Sequence, residues 1–155
     1  MPAAQYQEVT HHPTRLLQSI VLDFEAYPQI FSGIKSVEVL RQGPPIWEVS
    51  FRLYMIRQLS YSLSLELTEQ ADVCELRWSL IDGFFHSNSG HWRFEKCDEG
   101  TRAQYFINVI TDTVLPSSMI QTLTTQRLPS VVKQLIAEAD RRSGHVSEKN
   151  DESDD

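Results

Sequence analysis

Hydrophobic residues recur with two different periods along this chain. Leu16, Leu17, Ile20, Val21 and Phe24 follow helical spacing and predict an amphipathic helix. His12-Pro13-Thr14 opens that helix, since a first turn tolerates a residue without an N–H. Pro28 is expected to break it, and Gln29 to Gly33 reads as a short second helix closed by Gly33. Ahead of both, Ala3 to Thr10 reads as a first strand. From Ile34 onward the period changes to two. Val37 and Val39 alternate with polar neighbours, and Gly43-Pro44-Pro45 makes a turn. Trp47, Val49, Phe51 and Leu53 then alternate with Glu48, Ser50 and Arg52, up to a tight connection at Met55 to Arg57. Leu59, Tyr61, Leu63, Leu65 and Leu67 alternate with Ser60, Ser62, Ser64 and Glu66, the cleanest strand in the chain.

Cys74, Leu76, Trp78 and Leu80 continue the alternation to a turn at Asp82-Gly83, and Phe84 to Phe94 follows it. Cys97-Asp98-Glu99-Gly100 turns the chain into Ala103, Tyr105, Ile107 and Val109, the last of six consecutive strands. Each has one apolar and one polar face, the signature of an antiparallel sheet wetted on one side. Pro116 reopens helical spacing: Met119, Ile120, Leu123, Val131, Val132, Leu135, Ile136 and Ala139 recur at three and four, with Pro129 expected to kink this long helix. Arg141 and Arg142 complement the dipole at its end. The predicted fold class is α+β: a seven-stranded antiparallel curved sheet wrapped around a long C-terminal helix, with two short helices after strand 1. One helix in a curved sheet leaves a cavity between them as the natural expectation.

Composition sharpens this picture at two points. The 155 residues are 41% hydrophobic and 23% charged, and include three Trp, five Tyr and seven Phe, all of these aromatics from Tyr6 to Phe106. The aromatic excess therefore falls on the strands. The net charge of −7 argues against binding nucleic acid by phosphate neutralisation. Five acids and one lysine between Ser147 and Asp155 carry −4 of it, leaving 16 acids and 13 bases, or −3, in the body. The expected organisation is a single domain over 1–144 and a disordered acidic tail over 145–155. No run of about 18 apolar residues predicts a membrane span, and no secretory signal is visible at the start, so a cytoplasmic protein is expected. Cys74 and Cys97 lack metal or disulfide spacing and read as reduced thiols, Cys74 packing as a small apolar group.

Four fragments in the same order resemble one superfamily. Val21-Leu22-Asp23-Phe24-Glu25-Ala26-Tyr27-Pro28 resembles a D-x-x-x-Y-P segment before a second helix. Arg77 to Phe85 and Ser87 to Phe94 resemble a Trp strand, a Gly-aromatic turn and a G-x-W strand. Gly100-Thr101-Arg102-Ala103-Gln104-Tyr105 resembles a G-T-x-h-x-Y entry to the last strand. Over about Ala3 to Arg142 the chain is similar to the START-related helix-grip superfamily (SRPBCC), in its polyketide cyclase/dehydrase and coenzyme-Q-binding START-domain branch. The resemblance implies a helix-grip fold with a hydrophobic cavity under the terminal helix. It implies binding of an isoprenoid quinone tail or another lipid, while some relatives act instead as toxins that interfere with ribosomal subunit association.

Strand parity decides which candidate chemistry the sequence supports. Ser87, Ser89 and His91 share a face, with a bulge expected at Gly90, but no G-x-S-x-G elbow supports a nucleophile. A metal needs about three convergent ligands; His11 and His12 flank the first helix start, His86 and His91 fall on opposite strand faces, and no third ligand is evident, so no metal site is expected. A cyclase or dehydratase needs an acid or base facing the cavity. Glu48, Glu66, Glu75 and Arg77 take the outward parity, Asp23 lies on the first helix, and Asn108 and Asp112 oppose the inward residues of the last strand. Tyr61 and Tyr105 are the inward proton donors.

The expected function is non-enzymatic binding or transport of a hydrophobic small molecule, an isoprenoid quinone or other lipid, without a cofactor. Phe51, Tyr61, Leu63, Leu65, Trp78, Leu80, Trp92, Tyr105 and Ile107 are expected to line the sheet side, and Met119, Leu123, Val132 and Leu135 the helix side. Pro129 and the polar run from Gln121 to Gln126 suggest a movable wall with a mouth for a headgroup. The alternatives are a protein-interaction module that binds a ribosomal or membrane-complex partner, and a polyketide cyclase or dehydratase. No direct nucleic-acid binding is expected, and transient contact with a membrane surface is compatible with the lipid reading.

Overall fold

A computed structural model describes residues 3–54, 58–83, 87–110 and 128–154, the last ten of these by backbone only. The order is β1 (Ala3–Thr10), α1 (Thr14–Val21), a 3₁₀ turn (Phe24–Ala26), α2 (Tyr27–Ile30), then β2 (Ile34–Gly43), β3 (Ile46–Tyr54), β4 (Gln58–Glu69), β5 (Val73–Gly83), β6 (Ser87–Cys97), β7 (Gly100–Ile110) and α3 (Leu128–Asp154). The strands form one antiparallel sheet in the order β1-β7-β6-β5-β4-β3-β2. Six consecutive strands thus run as a meander, and β1 returns to the free edge of β7. The expected fold class is the one observed: a curved seven-stranded antiparallel sheet, two short helices after the first strand, and a C-terminal helix.

Local chemistry explains the helical segment after β1. Pro13 holds extended backbone at the start of α1, and its carbonyl accepts from the N–H groups of Leu16 and Leu17. Leu17, Ile20 and Val21 are buried on one face. Phe24 falls beyond α1, in the 3₁₀ turn. Pro28 does not break a helix as expected but occupies the first turn of α2, again where no N–H is required. The second helix therefore spans Tyr27–Ile30 instead of Gln29 to Gly33. The Tyr27 hydroxyl donates to the Val21 carbonyl at 2.5 Å, which closes the turn between the two helices.

On α3, Leu128, Val132, Leu135 and Ala139 are buried at spacings of four, three and four, one stripe against the sheet. Polar contacts fix its position. Lys133 pairs with Glu8 of β1 at 3.6 Å, Gln134 donates to Ser32 Oγ at 2.8 Å, and Arg142 reaches Asp23 at 3.1 Å. Pro129 is the second residue of described α3, and the segment beyond the expected kink lies outside the described residues. Where the sequence suggests disorder from residue 145, helical backbone continues to Asp154. Each further residue adds one hydrogen bond to a helix already nucleated by packing, so a polar extension need not bury a face to be helical.

The expected bulge at Gly90 is absent. Pairing of β6 with both neighbours is continuous through it, to Trp78 on one side and Ile107 on the other. Register shifts occur instead within β2 and between Ser62 and Leu63 of β4. The turn expected at Asp82-Gly83 is still strand, with Gly83 at φ 127° against the Tyr61 backbone.

Candidate functional site

Strand pairing fixes which residues share the concave face. Trp47, Val49 and Phe51 of β3 stand beside Leu65, Leu63 and Tyr61 of β4, and Leu63 and Leu65 stand beside Leu80 and Trp78 of β5. Trp92 pairs with Leu76 and Tyr105, and Gly90 with Trp78 and Ile107. The predicted sheet-side residues Phe51, Tyr61, Leu63, Leu65, Trp78, Leu80, Trp92, Tyr105 and Ile107 therefore all lie on one face. Val132 and Leu135 are fully buried on the apolar stripe of α3. Met119 and Leu123, the other two predicted helix-side residues, lie outside the described residues, as do Asp112 and the polar run from Gln121 to Gln126.

Burial along this face is graded. Leu76, Phe94 and Ala103, near the end covered by α1, are fully buried. One or two pairs further along the strands come Trp78, Leu65, Leu63 and Trp92, buried but for small edges. At the opposite end Tyr61, Leu80, Tyr105, Ile107 and Val109 are only half-buried, although each faces inward. Apolar side chains on a concave face that keep solvent access are the surface expected of a ligand recess.

The deeper part is an aromatic network. Trp92 and Tyr105 lie 4.5 Å apart between ring centroids, Trp78 and Tyr105 5.6 Å, and Phe51 and Tyr61 5.5 Å. Three aromatics outside the predicted set bridge it from the helical segment. Phe24 contacts Trp47 at 5.9 Å, Tyr27 contacts Phe51 at 6.0 Å, and Phe31 contacts Trp92 at 6.4 Å. Their signal in the sequence was the Phe24–Phe31 stretch itself, where three aromatics occur in eight residues of a segment too short to bury them among themselves.

Asn88 is the other residue that was missed. It shares parity with Gly90, Trp92 and Phe94, is 4% exposed, and its Oδ1 accepts from the Trp78 indole N–H at 3.3 Å. Its sequence neighbours Ser87, Ser89 and His91 carry the residue types of a nucleophilic site, whereas a lone Asn in a strand carries no such signal. Those three are on the convex face, where the His91 ring stacks on Phe106 at 5.3 Å and no nucleophile is assembled.

Across β3–β7 the concave face carries no formal charge between the strand ends; at the β1 edge Glu8, paired with Ala103, shares this face, accepts from the Tyr6 hydroxyl at 2.7 Å and pairs with Lys133 of α3 at 3.6 Å. The inward positions 47–51, 61–67, 74–80, 88–94 and 101–109 are apolar except Tyr61, Cys74, Asn88, Thr101 and Tyr105. Loss of hydration pushes the Tyr61 and Tyr105 phenols well above the ordinary phenol range, and Tyr27 likewise. The three are close enough that Tyr105 and Tyr61 raise Tyr27 further, and Tyr105 raises Tyr61. All three are neutral hydrogen-bonding groups at neutral pH. Burial also pushes the Cys74 thiol up to about 11.

Comparison with known proteins agrees with this geometry. Residues 11–136 match the family model described as polyketide cyclase / dehydrase and lipid transport. A STAR-related lipid transfer protein from Xanthomonas axonopodis superposes with a TM-score of 0.78 at 10% identity, over 87% of this chain and 84% of the other. The ZhuI aromatase/cyclase from Streptomyces sp. R1128 gives 0.77 at 16% identity, over 91% and 94%. A START superfamily protein from Mycobacterium smegmatis gives 0.72 at 20% identity, over 90% and 97%. At these identities the likeness is one of fold. None of the curated proteins compared with the chain matches it in sequence.

Proposed function

Since the chain belongs to the polyketide cyclase / dehydrase and lipid transport family, we propose that it binds and carries a hydrophobic small molecule, an isoprenoid quinone or similar lipid, without transforming it. The observation that carries this reading is the burial gradient on a concave face that is uncharged across β3–β7. At its half-buried end Leu80, Ile107 and Val109 offer apolar area to a tail, at about 25 cal/mol per Å² removed from water before the costs of association. Tyr61 and Tyr105 offer neutral hydroxyls to a carbonyl or hydroxyl of the ligand head. Among the described residues no helix is long and apolar enough to cross a membrane, which fits a carrier that meets bilayers only at their surface.

The cyclase or dehydratase alternative rests on the same two tyrosines. Their phenols hold the proton more tightly than an ordinary phenol, which suits hydrogen-bond donation and disfavours a general base. Among the described inward positions of β3–β7 there is no carboxylate or histidine to strengthen it, and the inward carboxylate of β1, Glu8, is engaged by Tyr6 and Lys133. Binding without chemistry is therefore the better-supported function.

The test is native mass spectrometry of gently purified protein, followed by titration of the stripped protein with decylubiquinone. A co-purified lipid and saturable quenching of tryptophan fluorescence are expected. Ile107→Trp, which fills the half-buried end, should weaken uptake at least ~10-fold while leaving the circular dichroism unchanged. Protein that carries no lipid and takes up neither quinone nor a fatty acyl probe overturns the reading.

A further inference from the structure

A second cluster of side chains lies away from the concave recess, where the end of β1 meets α3. His11 and His12 follow directly on β1, and Asp140 faces them from α3, 128 residues later than His12. Each of the three offers one ligand atom, and these atoms lie within 4.8 Å of one another. His12 Nε2 is 2.6 Å from Asp140 Oδ1, and the two imidazole rings stack with centroids 4.1 Å apart. His12 is 2% exposed, while His11 and Asp140 are open to solvent. We propose that His11, His12 and Asp140 form a binding site for a divalent late first-row transition ion, with Zn²⁺ the best match.

The donor set selects the ion. Two imidazoles and one carboxylate suit zinc, cobalt, nickel or copper, whereas calcium and magnesium require mostly oxygen ligands. Bonds of about 2.0–2.2 Å at a tetrahedral ion place ligand atoms roughly 3.3 Å apart. The His12–Asp140 pair is now at hydrogen-bonding separation, so a proton lies where the ion would lie. Exposed Asp140 can retreat by the required fraction of an ångström through a side-chain rotation. Three protein ligands leave a fourth position for water.

The backbone that presents the histidines is held independently of any ion. Buried Thr101 of β7 donates from Oγ1 to the His12 carbonyl at 2.7 Å, and the His12 N–H donates to Thr10 Oγ1 at 3.4 Å. Gly100 lies so close beneath that a Cβ there would be 2.4 Å from the Thr10 carbonyl oxygen and 2.8 Å from His11 Cα. Adjacent residues seldom present two ligands to one point unless the chain is pinned in this way, and ligands already held in place lower the cost of assembling the site. Two ligands come from one end of the chain and the third from the other, so an ion here would clamp α3 to β1.

The experiment uses the full chain, stripped with chelator and titrated with Co²⁺ and then Zn²⁺. One equivalent of Co²⁺ is expected to give visible absorption characteristic of low coordination, and Zn²⁺ should displace it. Asp140→Asn retains an oxygen for the His12 hydrogen bond but loses the charge, and His11→Ala removes an exposed side chain, so both variants should fold. Each should weaken Zn²⁺ binding by at least about 100-fold, more than changes outside the ligand shell usually cause. Zn²⁺ should raise the melting temperature of the wild-type protein and of neither variant. Absence of saturable binding overturns the proposal. So does stoichiometric binding that is unchanged in both variants, since the ion would then be held elsewhere.

Discussion

The Trp78 indole lies over Gly90 of the neighbouring strand and reaches beyond it to donate its N–H to Asn88 at 3.3 Å. The two polar groups satisfy each other on a predominantly apolar face. Asn88→Leu, similar in size, would leave the indole donor buried without this partner, at a cost of about 1–3 kcal/mol. Urea unfolding followed by tryptophan fluorescence should show that loss. In Trp78→Phe/Asn88→Leu, which removes both groups, the deficit attributable to the pair should shrink. A loss that is additive over the two single variants would show that the bond contributes nothing.

Gly90 makes that arrangement possible through absence of a side chain. A Cβ at this position would lie 2.2 Å from the Phe106 carbonyl oxygen and 2.7 Å from Cζ2 of Trp78. The first clash is with backbone inside a paired strand and the second with a ring buried among others, so neither yields easily. Gly90→Ala is expected to destabilise by about 2 kcal/mol or more. It should also shift the tryptophan emission, because the indole must move. Retention of wild-type stability and emission would mean that the sheet opens freely at β6.

The two thiols should differ sharply in reactivity. Cys74 is buried against the core and its thiol is pushed up to about 11, chiefly by lost hydration and then by Glu69 and Glu75. At pH 8 only about one molecule in a thousand carries the thiolate, the reactive form. Cys97, half-buried on the rim of β6, should react with iodoacetamide in the native protein while Cys74 waits for unfolding. Mass mapping of the alkylated chain against time checks the order, and simultaneous modification of both would contradict it.

The alternation of Leu59 to Leu67 and Cys74 to Leu80 was enough to place those strands and assign their faces, because a period of two leaves only one way to bury the apolar set. The same parity put Glu48, Glu66 and Arg77 outside and Trp78 and Trp92 inside. What the alternation lacks is any record of depth: Leu63 and Leu80 are directly paired, yet one is buried and the other half-buried. That difference depends on where α1 and α3 lie across the sheet. Pro28 misled because proline marks both a helix break and a helix first turn. Gly90 misled because a glycine within a strand marks either a bulge or a close approach, and only the indole opposite decides between them. Asp140 could not be joined to His11 and His12 from spacing, since α3 reaches β1 only in the folded chain.

Glu138 makes stability depend on acid in a specific range. It sits with 10% of its side chain exposed and accepts from Arg141 at 2.9 Å and from Arg142 at 2.8 Å, while Arg142 continues to Asp23 beside α1. The hydrogen bond from Arg141 is the largest cause that holds its carboxyl at about 2, against an ordinary value near 4.5. The native state thus favours the charged form, and the unfolded chain binds the proton more readily. The stabilisation is complete above about pH 4.5 and fades as pH falls toward 2. Because Arg141 is largely exposed, solvent screening reduces it to about 1–2 kcal/mol. Urea unfolding of wild type and Glu138→Gln at pH 7, 4.5, 3.5 and 2.5 isolates this contribution from that of the other carboxylates. The gap between the two proteins should be widest at pH 7, nearly unchanged at 4.5, and closing by 2.5. A gap that stays constant across this range would mean that the two arginines hold the carboxamide as well as the carboxylate, and that charge plays no part in docking α3 against α1.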